Sequence, residues 1–214
     1  MAVASAVLRI WLDAGHGLGN SRPGVFDTGA TSACGSEHEI AYRIVDLVAD
    51  RFYRDPEAPL TVAETPSCST ACAAKHKKRG HLAYKIDYIN DNLKRRPDGR
   101  SFGEVVLSLH LNSSSNPSTS GVEVLYSHSV PARRRVAAAI AEAVAATLGL
   151  PNRGAKSDRD SSRGSIAILN RTECPAYLIE MGFVTNPEDV LRVRECGVDA
   201  LIAAISVIAK EHGQ

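Results

Sequence analysis

The sequence predicts an α/β domain with a mostly parallel central sheet, flanked by helices on both faces. Three observations carry that expectation. Short apolar, β-branched runs alternate with longer segments of helical periodicity, the pattern of strand–helix–strand units. Several of the runs, VVLSL and AYLI among them, are apolar at successive positions, as strands covered on both faces are. The 214 residues contain no internal repeat and no Pro/Gly/Ser linker long enough to separate domains, so a single domain over 1–214 is expected.

The elements follow in order. Residues 5–12 (SAVLRIWL) read as the first strand, and Gly15, Gly17 and Gly19 mark the loop after it. From Glu37, the residues Ile40, Ile44, Leu47 and Val48 recur at helical spacing to about Phe52. Residues 59–64 form a second strand candidate, and a helix from Lys78 to Leu93 sets Leu82, Ile86 and Ile89 on one face. Strands are expected at 104–110 and 121–126. An alanine-rich helix at 132–148 is stopped by Gly149 and Pro151. The stretch 151–165, rich in Arg, Ser and Asp, reads as a mobile surface loop. A buried strand at 175–180 and a helix at 197–211 complete the chain.

Composition narrows the function classes. At 44% hydrophobic and 23% charged, the chain is neither disordered nor a coiled coil. Lys+Arg 25 against Asp+Glu 24 lacks the basic bias of a nucleic-acid binder. No run approaches the length of a membrane-spanning helix, so no membrane partner is expected. The N-terminal run has no basic segment before its apolar stretch and leads straight into Asp13 and His16. It therefore reads as a strand, not a secretion signal, and synthesis in the cytoplasm is expected. Five dispersed cysteines are an odd set that argues for a reducing compartment.

Three apolar strands end in residues capable of metal or acid–base chemistry: Asp13–Ala–Gly–His16, Ser108–Leu–His110 and Ile179–Glu180. Open α/β sheets bind ligands outside the carboxyl ends of their strands, so these ends converge on one crevice. Two histidines and a carboxylate, the latter from Glu37 or Glu39, match a catalytic zinc site with one position open to water. Glu180 is then the general base for that water.

The runs DAGHG (13–17), EHEIAYRI (37–44), SLHLN (108–112), GVEVLY (121–126) and CPAYLIEMGFVTNPED (174–189) together resemble one family. It is that of the zinc-dependent N-acetylmuramoyl-L-alanine amidases, of amidase type 3, which includes cell-separation amidases and phage endolysins. The resemblance spans residues 8–210 and implies a phosphorylase/hydrolase-like fold and one Zn2+ per chain. It implies zinc ligands at His16, Glu37 and His110. Glu37 is chosen because Ile40 and Ile44 follow at +3 and +7, where Glu39 would place Tyr42 and Asp46. Glu180 takes the family's catalytic glutamate. Asp13 and Asn112 fall where outer partners orient imidazole ligands. The implied reaction is hydrolysis of the amide between N-acetylmuramic acid and L-alanine in peptidoglycan. A monomer is expected, and the separate wall-binding domain that many relatives carry is not visible in this sequence. An endolysin-type enzyme of this kind is released to the wall by a separate pore protein. The alternatives are a zinc peptidase cutting within the stem peptide and a catalytically silent wall-binding module.

The chain departs from the family where Thr-Arg often follows the second strand and it reads Glu64–Thr65–Pro66. No substrate contact by such an arginine is carried over. Arg79 resembles a recurrent arginine and is read as a structural ion-pair partner. Cys68, Cys72 and His76 share a helical face that His81 could complete as a second metal site, but apolar packing is the preferred reading. Lys75, Lys77, Lys78 and Arg79 read as a solvated helix start. Arg153, Lys156, Arg159 and Arg163 sit in the polar loop, with a border of the peptide groove as its second reading. Dinucleotide, P-loop and nucleophile-elbow patterns are absent from the sequence.

Overall fold

A computed structural model describes residues 9–18, 25–54, 61–65, 81–94, 103–161 and 164–212. Strands β1 (Arg9–Ala14), β6 (Thr61–Glu64), β7 (Val105–Asn112), β8 (Val122–Tyr126), β9 (Asn152–Ser157) and β10 (Ala176–Phe183) form one sheet in the order β6-β1-β7-β10-β8-β9. The first four strands of that order run parallel; β8 is antiparallel to β10, and β9 runs parallel to β8. Two short hairpins, β2 (Gly17–Leu18) with β3 (Phe26–Asp27) and β4 (Thr31–Ser32) with β5 (Gly35–Ser36), lie between β1 and the first helix.

Helices cover both faces, as expected. On one side α1 (Glu37–Tyr53), α3 (Arg134–Leu148) and α5 (Pro187–His212) close over Ile10, Leu12, Leu107, Leu109 and Ile179. On the other, α2 (His81–Asn92) and the short α4 (Ala167–Arg171) close over Trp11, Val106, Leu125 and Leu178. The two sets alternate along each strand because successive side chains point to opposite faces. Helix α1 is started by Ser36, whose hydroxyl accepts from the Glu39 amide, and buries Ile40, Ala41, Ile44, Val45 and Val48. Gly149, with φ 66°, ends α3 in a left-handed cap. No helix among the described residues is long and apolar enough to cross a membrane.

Two expectations are corrected. The polar stretch expected as a mobile loop over 151–165 begins instead with edge strand β9, continued by a 3-10 turn at Asp158–Asp160. An edge strand with one neighbour carries charged side chains that hide its extended character. The last helix begins at Pro187, ten residues before the expected start at 197. Gly197 looks like a boundary, yet it lies mid-helix against α1, where an added Cβ would stand 2.6 Å from Ile44 Cδ1. The smaller shifts are at ends. β1 reaches Ala14, β7 reaches Asn112, and residues 5–8 lie outside the described ones.

Candidate metal centre

The sheet face under α2 and α4 changes character along its strands. Trp11 gives way to Asp13 on β1; Val106 gives way to Ser108, His110 and Asn112 on β7; Leu178 gives way to Glu180 on β10. Antiparallel β8 contributes Glu123 from its opposite end. The register pairs Asp13 with Ser108, His110 with Glu180, and Glu180 with Glu123. His110, Glu180 and Glu123 therefore form a row across adjacent strands, which are spaced about 4.8 Å apart.

His16 reaches this row from the loop after β1, in a left-handed backbone conformation (φ 63°) that non-glycine residues seldom adopt. Gly15 before it permits close approach: a Cβ there would lie 2.3 Å from His110 Cε1. Glu37 is the first residue of α1 and is fully buried. Its backbone amide donates to the Ala30 carbonyl, and the Ala30 amide donates to its Oε2. Its Oε1 lies 3.0 Å from His16 Nε2 and 2.8 Å from His110 Nδ1, and accepts the Leu111 amide. Burial pushes the Glu37 pKa up, but the two imidazoles outweigh it and hold the carboxyl well below its usual range. Burial likewise opposes the His16 charge, while Glu37 and Asp27 together raise its pKa.

Among the sequence-predicted residues, the structure brings His16, Glu37 and His110 together, with candidate ligand atoms within 4.8 Å of one another. Glu39 instead lines a groove between α1 and α5, beside Arg43 and Arg194. Asp13 stands on β1, in register with Ser108 of β7. Its carboxylate is taken up by Lys85 Nζ (2.7 Å) and by the hydroxyls of Thr65 (2.8 Å) and Ser108 (2.6 Å). Lys85 also donates to the carbonyls of Ala14 (2.5 Å) and His16 (3.4 Å). Asp13 thus fastens the loop backbone through a buried ion pair, and its pKa is lowered: burial raises it, but Lys85 and the hydroxyls prevail. Asn112 donates to Glu123 Oε1 at 3.2 Å, beside Glu180. Cys68, Cys72, His76, Arg79 and Arg163 lie outside the described residues, as does the His81 side chain.

Sequence reading missed three residues around the cluster. Asp27 Oδ2 stands 3.1 Å from His16 Nδ1, so it can fix that ring's orientation, as outer partners of metal histidines do. His38 Nδ1 donates to the Gly15 carbonyl at 2.7 Å. Lys85 is the third. Asp27 and Lys85 stand in stretches whose local pattern marks a turn and an amphipathic helix, with no separate signal of a site. His38 adjoins Glu37, and its helical position is its only signal.

The residues present fit a metal ion. Two imidazole nitrogens and an ionised carboxylate oxygen converge from separate elements. Both His16 ring nitrogens are buried without a hydrogen bond of good geometry. Two nitrogens and one oxygen are the donor set of catalytic zinc sites, which leave a fourth position open. A cavity of about 280 Å3 opens beside His16, His110 and Lys85, and another of about 280 Å3 beside Glu180 and Glu123.

Comparison with known proteins identifies relatives of the chain. The protein described as probable cell wall amidase LytH of Staphylococcus aureus is 28% identical over 93 residues, covering 44% of this chain and 29% of LytH. The match thus spans under a third of that relative's length. The catalytic domain of the CD27L endolysin targeting Clostridia difficile superposes with a TM-score of 0.69 at 23% identity, covering 94% of this chain and 97% of that one. The N-acetylmuramoyl-L-alanine amidase AmiC2 of Nostoc punctiforme gives a TM-score of 0.69 at 21% identity, covering 98% of both chains. These likenesses establish the fold. With a family match that runs from residue 10 to 206, the chain belongs to the N-acetylmuramoyl-L-alanine amidase family.

Proposed function

We propose that this protein is a zinc-dependent hydrolase of the amide bond between N-acetylmuramic acid and L-alanine in peptidoglycan. The observation that carries the reading is the His16–Glu37–His110 cluster with Glu180 next to His110 in the parallel ladder. Held by those three side chains, zinc supplies Lewis acidity toward the scissile carbonyl and lowers the pKa of water to about 7. Glu180, buried on β10, takes the proton of the attacking water and passes it to the departing amine. Glu37 stays ionised throughout, and Asp27 and the Gly15 approach hold the two imidazoles in place. Lys85 and Asp13 fix the backbone that carries His16. An endolysin-type setting, with a monomer made in the cytoplasm and admitted to the wall by a separate pore protein, belongs to the same proposal.

The experiment is digestion of purified peptidoglycan with and without a zinc chelator, followed by mass spectrometry of the products. Stem peptides with free L-alanine amino termini, formed only with zinc, are expected. Shortened peptides still attached to glycan would make the protein a peptidase. Zinc-loaded protein that binds the wall and releases nothing would make it a binding module.

A further inference from the structure

Strand β9 holds a feature that the proposed hydrolysis does not use. Side chains alternate along a strand, so residues at odd spacing point to opposite faces. Arg153 and Lys156 are three apart, yet both reach the same atom: Arg153 Nε lies 3.1 Å and Lys156 Nζ 2.6 Å from Glu123 Oε2. The cause is a register shift between Val122 and Val124 of the neighbouring strand, opposite Gly154 at φ 79°. Bulges of this kind re-aim side chains and recur beside active sites. The Arg153 guanidinium also lies 5.1 Å over the Phe183 ring, three residues past Glu180.

Three carboxylates, Glu123, Glu180 and Asp160, and two cations, Arg153 and Lys156, line this place. One buried carboxylate, Glu123, faces two cations, each about one-third exposed (35%). Asn112 donates to its other oxygen. The cations line the cavity of about 280 Å3 that also contains Glu180, with Asp160 exposed to solvent at its edge. Burial pushes the Glu123 pKa up, but Lys156 and Arg153 hold it below its usual range, so the carboxylate keeps both cations anchored.

We propose that Arg153 and Lys156 form a carboxylate subsite for an acidic group of the peptide whose amine leaves the scissile carbonyl with the proton that Glu180 delivers. The inference rests on the amidase reading and deepens it. Across the sheet the order is His110 on β7, Glu180 on β10, Glu123 on β8 and the cations on β9. Glu180 stands between the metal ligands and the cation pair, so the peptide extends away from the metal over β8 and β9. The cation heads reach Glu123 on β8, one strand spacing or about 5 Å from Glu180, which extended peptide covers in about two residues at 3.3 Å each. A free carboxylate on the second residue of the stem peptide falls within that reach.

The test uses two synthetic substrates, N-acetylmuramoyl-L-alanyl-D-glutamate with its α-carboxylate free and the same compound with that group amidated. Wild type is expected to favour the free carboxylate about tenfold in kcat/KM, mainly through KM. In the Arg153→Gln/Lys156→Gln double variant the ratio should fall to near one, and Lys156→Arg should restore it. If the double variant does not fold, Lys156→Gln alone, with Arg153 still beside Glu123, should reduce the ratio by about half its logarithm. Equal turnover of the two substrates by wild type, or a ratio that survives in these variants, overturns the subsite and leaves the amidase reading intact. No turnover of either by zinc-loaded wild type overturns the amidase reading. Calorimetry with L-alanyl-D-glutamate then decides the subsite: binding weakened about tenfold by the double variant supports it, and equal binding overturns it.

Discussion

Replacing Gly15 with alanine tests the construction of the metal centre through one contact. The added Cβ would lie 2.3 Å from His110 Cε1 and 2.5 Å from both ring nitrogens. Ordinary carbon contacts are about 3.5–4 Å, so the ring must retreat by about 1 Å. Metal–ligand distances tolerate about 0.2 Å, so a shift of that size removes His110 from a productive position. Disturbing an outer partner already costs about 10- to 100-fold in affinity, and displacing a ligand costs at least as much. Zinc affinity is therefore expected to fall by at least about tenfold, or 1.4 kcal/mol. Gly15 is not among the glycines with positive φ, so the effect is steric and carries no backbone strain. Gly149→Ala is the control: its φ of 66° makes alanine strained, while nothing lies within 4 Å of the new Cβ. That variant should lose about 1 kcal/mol of stability with unchanged zinc affinity. Competition against a chromophoric chelator measures the affinity, and thermal unfolding of the metal-free proteins checks the fold. A folded Gly15→Ala protein with wild-type zinc affinity would show that the His110 ring does not depend on this close approach.

Three further outcomes are expected. Lys85→Met leaves Asp13 buried without its cation and should cost about 3–5 kcal/mol in urea unfolding, much of it recovered by adding Asp13→Asn; a loss below about 1 kcal/mol would contradict the pairing. Asp158 is fully buried and accepts from the amides of His128 and Ile166 and from the Asn170 side chain, so Asp158→Ala should cost about 2–4 kcal/mol at neutral pH. Burial raises the Asp158 pKa, but these donors hold it well below the ordinary value of about 3.9. Its contribution is thus full above about pH 4 and is lost as pH falls toward the folded pKa, so the gap between wild type and variant should narrow on acidification. A constant gap from neutral pH to pH 2 would count against that linkage. His16→Ala and His110→Ala should each abolish stoichiometric zinc binding, measured by metal analysis after gel filtration, and full occupancy in either would remove that residue from the ligand set.

What could be read in the sequence followed burial. Strands β1, β7 and β10 are covered on both faces, so their residues form unbroken apolar runs whose ends stand out. His16, His110 and Glu180 were visible for that reason: each breaks such a run at the end where open sheets bind ligands. β9 could not be found this way, since an edge strand needs no apolar run, and the bulge at Gly154 further disrupts its alternation. The first ten residues of α5 were masked by Gly197, whose place is set by Ile44 on another helix. Choosing Glu37 over Glu39 needed the helix phase, because two carboxylates two residues apart at a helix start look alike locally. Lys85 lies 71 residues from Ala14, and the bond joining them exists only in the folded chain. Glu123, Arg153 and Lys156 likewise became a unit only through the strand order.

In the proposed reaction Glu180 transfers a proton beside a metal held by other side chains. Glu180→Ala separates those two roles when it is assayed together for bound zinc and for release of L-alanine-terminated peptides from peptidoglycan. A folded variant that keeps one zinc per chain while turnover falls about 100- to 10,000-fold is the expected result. Near-normal turnover in that folded, zinc-loaded variant would remove Glu180 from proton transfer and contradict the mechanism.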